Sequence, residues 1–109
     1  MSIETRLNEL RELAKTYAKA QSQRVYLEEF KKSRLAQLMK RYESQYPTAA
    51  AQEREARADP QYIELLDGLR VATEEAERAR WELKIAEWGV DLWRTKQAND
   101  RAERRGYGA

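Results

Sequence analysis

The sequence predicts an all-α protein: an antiparallel hairpin of two long helices, joined by a short connecting helix and assembled into a helical-bundle oligomer. Three observations predict it. The composition favours Ala, Glu, Lys, Leu, Arg and Gln, with 37% charged residues and only 4 Gly and 2 Pro to break helices. From Tyr62, an apolar residue recurs at alternating steps of three and four through Leu65, Leu69, Ala72, Ala76, Ala79, Leu83, Ala86, Val90 and Trp93, before Gln97 and Asp100 end the row. A row sustained that long is a coiled-coil seam. Charge falls in blocks, net +6 over residues 15–42 and net −6 over 43–91, and an antiparallel fold-back lays one block along the other.

Each element has its own signals. Residues 2–46 contain neither Gly nor Pro; Ser2 is placed to cap the first helix, and Tyr46-Pro47 ends it, because a proline pushes the preceding residue out of the α region. Its apolar positions are Ile3, Leu7, Leu10, Leu13, Tyr17, Ala20, Leu27, Phe30, Leu35, Leu38 and Tyr42, with a slip in spacing around Gln21–Arg24. The connector is 47–59, where Thr48 caps a short helix over 49–57. The second long helix is 60–104, opened by Asp59 as N-cap and Pro60 at the first helical position. Gly68 and Gly89 each weaken it by about 1 kcal/mol relative to Ala without ending it. Residues 1–105 make one hairpin domain and 106–109 a flexible tail. Folding back about the connector pairs Leu38 with Leu69, Leu35 with Ala72, Leu27 with Ala79 and Leu13 with Trp93. Four alanines on the second seam admit these larger side chains.

The composition also excludes function classes. With 109 residues, no Cys and no His, the chain has no disulfide, thiolate, imidazole base or His-containing zinc site. No apolar run approaches the roughly 20 residues needed to span a bilayer, and the charged start MSIETRLNEL is unlike a signal peptide, so a cytoplasmic location is expected. The carboxylates Glu53, Glu55, Glu74, Glu75 and Glu77 fall on solvated faces among Arg and Lys, and nothing in the pattern suggests the pocket that a carboxylate pair for acid–base work needs. Gly106-Tyr107-Gly108 precedes no helix and is not a phosphate loop. The expectation is a protein without catalysis, cofactor, metal or small-molecule substrate.

Two surfaces remain as candidates. Trp81, Ile85, Trp88 and Leu92 form a second stripe at steps of four, three and four, on the side of the helix opposite the seam. One hairpin partner covers one of the two faces, so the stripe packs under its own chain, against another subunit or against a protein target. The expectation is a protein interface. The second candidate is the basic end, Arg94, Lys96, Arg101, Arg104 and Arg105 with Tyr107, suited to nucleic-acid phosphates but interrupted by Asp100 and Glu103. Lys31, Lys32, Arg34, Lys40 and Arg41 would extend it unless the acidic block neutralises them.

A helical hairpin of this length resembles the small secreted WXG-type proteins, but their Trp-x-Gly sits at the hairpin turn, whereas Trp88-Gly89 are adjacent inside the second helix. Residues 79–104, ARWELKIAEWGVDLWRTKQANDRAER, resemble short helical proteins of bacteriophages and prophages. That resemblance implies an accessory role in the bacterial host cytoplasm, acting on a host or defence protein or in recombination or replication. The predicted function is thus a non-enzymatic helical interaction protein, self-associating and binding a protein partner. The alternative is a nucleic-acid-binding accessory using the basic end.

Overall fold

The computed structural model describes residues 2–108, with only the backbone given for Tyr107 and Gly108. Three helices follow one another: α1 (Ile3–Tyr42), α2 (Ala49–Ala58) and α3 (Pro60–Gly108). Long α1 and α3 form an antiparallel hairpin with α2 as the connecting helix, as the sequence predicts. Among the described residues there is no strand, and no helix is long and apolar enough to cross a membrane.

The caps are those expected. The Thr5 N–H donates to Ser2 Oγ (3.2 Å) at the start of α1. The Ala51 N–H donates to Thr48 Oγ1 (3.1 Å) at the start of α2. Asp59 ends α2 and begins α3: its N–H donates to the Ala56 carbonyl, and its Oδ1 accepts the Gln61 N–H at 2.8 Å. Pro60 sits where a missing N–H costs nothing.

Two helix ends differ from the sequence reading. α1 stops at Tyr42 rather than residue 46, because the chain tightens into turns before the proline: the Glu43 N–H reaches back to Lys40, and those of Gln45 and Tyr46 to Tyr42. At the other end α3 runs on through Gly108, where a tail was expected from residue 106. None of its glycines takes the left-handed conformation that terminates helices, so the ladder continues. Ala109 lies outside the described residues.

The chain divides into two compact units. In residues 18–77, Leu38 is fully buried with Ala56 and Tyr62, and Leu35, Met39 and Tyr42 pack around them. Beside this cluster the Tyr42 hydroxyl donates to Asp59 Oδ2 (2.8 Å), with Arg41 Nη1 at 3.9 Å from the same oxygen. Asp59 is 7% exposed. The Tyr42 hydroxyl, and then the Gln61 N–H and the nearby arginines, hold its carboxyl below the usual carboxylate range against the effect of burial. The same hydrogen bond pushes the Tyr42 hydroxyl upward. In residues 2–17 with 78–108, the α1 face carrying Arg6, Leu10, Leu13 and Tyr17 meets the α3 face carrying Ala79, Leu83, Ala86, Val90 and Trp93.

Every α3 seam position from Tyr62 to Asp100 is buried or half-buried. On α1, Ile3 and Leu7 are exposed instead, and Arg6 holds the inward position. The spacing does not slip around Gln21–Arg24. Arg24 is half-buried in register, its guanidinium held by Gln21 Oε1 (3.2 Å) and Glu28 Oε1 (2.8 Å). The pairing itself is displaced by one heptad. Leu38 packs with Tyr62 rather than Leu69, and Arg6, not Leu13, lies against Trp93. A seven-residue displacement keeps every side chain on its face, so periodicity is blind to it. The Tyr42–Asp59 bond lies at the same end of the hairpin as the Leu38–Tyr62 contact.

Candidate functional site

α3 is helical without interruption through the tryptophan stripe because its residues are good helix formers and Gly89 adopts ordinary helical geometry. At about 100° per residue, Trp81, Ile85, Trp88 and Leu92 cluster on a line roughly opposite the Ala79–Trp93 seam. α1 therefore packs on one side of α3 and leaves the other bare. The chain covers none of the four: Trp81 is 46% exposed, Ile85 59%, Trp88 53% and Leu92 72%. Of the ways open to bury this stripe, covering by its own chain is not the one found.

The exposed rings are ordered among themselves. Trp81 and Trp88 lie edge to face, with centroids 6.3 Å apart and planes at 61°. Lys84 Nζ stands 5.1 Å from the Trp81 centroid and Arg80 Cζ 5.6 Å from it, so cations cover part of that ring. The arrangement is an apolar strip with a charged margin. Among the described residues, no three Asp or Glu side chains gather where they could hold a metal ion.

The basic end is helical and its side chains are exposed, but the helix does not bring all five together. Arg94, Arg101 and Arg105, at steps of seven and four, share one face; Arg104 lies to its side, and Lys96 points roughly the opposite way. Asp100 and Glu103 fall on the side of Lys96, so they do not interrupt the three arginines. Asp91 does share a shallow groove with Arg94, Ala98 and Arg101. The Tyr107 side chain lies outside the described residues.

Two features escaped the sequence reading. Arg6 lays its guanidinium over Trp93, 5.6 Å from the ring centroid, with Nε buried and without a hydrogen-bond partner. In residues 18–77, Tyr26 and Phe30 stack with centroids 5.9 Å apart, and Arg34 Cζ lies 5.1 Å from the Phe30 ring. The one-turn spacing of Tyr26, Phe30 and Arg34 carried that second signal. No family model, characterised protein or solved structure matches the chain.

Proposed function

We propose that this chain is a non-enzymatic helical interaction protein that works by binding a macromolecular partner through the Trp81/Ile85/Trp88/Leu92 face of α3. One observation carries the reading: two tryptophans and two aliphatic side chains stand exposed on the side of α3 away from its seam with α1. An ordered aromatic pair flanked by Lys84, Glu82 and Asp91 has the make-up of an interface centre with a polar rim. The resemblance of residues 79–104 to phage and prophage helical proteins directs the search for a protein target to host and defence proteins in a bacterial cytoplasm.

A second reading rests on Arg94, Arg101 and Arg105 sharing one helix face, an arrangement able to follow a nucleic-acid backbone. It ranks lower because Asp91 sits in the same groove and the chain's net charge is only +2. Affinity capture with wild type, Trp88→Glu and an Arg94/Arg101/Arg105→Gln triple variant separates the two. The first reading expects a protein retained by wild type and by the triple variant but lost with Trp88→Glu. Nuclease-sensitive material lost only with the triple variant overturns it in favour of the second.

A further inference from the structure

We propose that the occupant of this face is a second copy of the chain, with α3 packed antiparallel on α3 about a two-fold axis midway between Ile85 and Trp88. The proposal rests on the interface reading above and names its partner. The steps of four, three and four read the same in either direction, so the stripe is complementary to its own reverse. Trp81 meets the partner's Leu92 and Ile85 meets the partner's Trp88, each layer occurring twice, as a two-fold interface requires.

The flanking residues favour this arrangement independently. Lys84 and Asp91, seven apart, border the same side of the stripe. Antiparallel pairing sets Lys84 against the partner's Asp91, and Asp91 against the partner's Lys84. A parallel alignment sets Lys84 against the partner's Gly89 instead, and the pairs it gains between Asp91 and the partner's Lys96 are offset by Glu77 set against the partner's Glu82. On the other side of the antiparallel seam, Gly89 faces the partner's Glu82. Apart from the local backbone of α3, nothing comes within 4 Å of a Cβ placed at Gly89, so the hairpin does not require glycine there, while a close helix across the axis makes use of the space.

The area suffices. With full areas of roughly 180–260 Å² per side chain, the exposed fractions of these four residues sum to on the order of 500 Å² per chain. Full burial of the stripe in two copies removes up to about 1,000 Å², the size at which specific interfaces begin, and the flanking Glu82, Lys84, Gly89 and Asp91 add to it.

Sedimentation velocity over a concentration series tests the assignment, with circular dichroism confirming that each variant keeps its helices. Wild type is expected to dimerise. Lys84→Glu alone, or Asp91→Lys alone, sets like charges across both pairs and raises the dimer dissociation constant roughly tenfold. An equimolar mixture of the two variants has opposite charges at both pairs and recovers wild-type affinity as a heterodimer. Wild type that stays monomeric at high micromolar concentration, or a mixture that associates no better than either variant, overturns the proposal. A monomeric wild type that still holds a different protein through Trp88 removes the second copy but not the interface; loss of both results removes both readings.

Discussion

Replacing Leu38 with alanine and, separately, Leu92 with alanine applies one chemical deletion to two opposite environments. Leu38 is 0% exposed, enclosed by Ala56, Tyr62, Leu35, Met39 and Tyr42. Losing its isopropyl group forfeits the transfer free energy and leaves a cavity. Met39 is adaptable enough to fill part of that space, which places the expected cost near the lower end of the usual range, about 3 kcal/mol. Leu92 is 72% exposed, so little of its surface leaves water on folding. The area lost is worth about 0.5 kcal/mol, and the better helix propensity of alanine offsets part of it. The two variants should therefore differ by about 2–3 kcal/mol. For a chain of this size that is a gap of roughly 10–20 °C in Tm. Thermal melts followed by far-ultraviolet circular dichroism, at a concentration where sedimentation shows both variants monomeric, read it directly. Equal melting temperatures would refute the packing of Leu38 on Tyr62 and Ala56, and with it the register described above.

Two further outcomes follow from the turn and from α3. Because the carboxyl of Asp59 is held below its ordinary range in the fold, its contribution is fully present above the ordinary carboxylate pKa and is lost as pH falls through the depressed value. Wild type should lose stability on acidification below about pH 4, while Asp59→Asn should show a flatter acid limb in melts run against pH; parallel limbs would count against the Tyr42–Asp59 bond. Gly68→Ala should stabilise the fold by about 0.5–1 kcal/mol, since nothing lies within 4 Å of the added Cβ and the position is helical. A destabilised variant in urea titrations would show that this stretch of α3 is not the regular helix described.

What the sequence made legible was whatever depends on one helix at a time. The three caps at Ser2, Thr48 and Asp59, and the α3 seam from Tyr62 to Asp100, follow from local chemistry and a 3–4 repeat, and they stand where expected. The tryptophan stripe was legible as a face for the same reason, and so was the placement of the basic residues on a helix. The heptad register was not, because Leu38 facing Tyr62 and Leu38 facing Leu69 satisfy the same pattern. The pairing observed comes with the buried Leu38–Ala56–Tyr62 corner and a long-range polar contact, Tyr42 to Asp59, that no periodicity announces. Arg6 was missed because a charged residue was not counted among seam positions, although its cation stacks on Trp93 where an aliphatic side chain was expected. Leu7, beside it, looked apolar enough to face inward and does not.

The corner where Leu38, Ala56 and Tyr62 are buried and Tyr42 bonds Asp59 acts as an indexing pin on a rack whose teeth repeat every seven residues. Length is therefore free to vary in whole heptads at the ends remote from the pin. Trimming seven residues from the start of α1 moves no remaining pair out of step, whereas inserting three or four between Leu38 and Tyr42 shifts α1 relative to its anchor and rotates its seam off α3. The turn around Tyr42, Ala56, Asp59 and Tyr62 is thus the origin of coordinates for the hairpin. Chains that kept this corner and changed length elsewhere would conserve the fold while altering how much surface each carries.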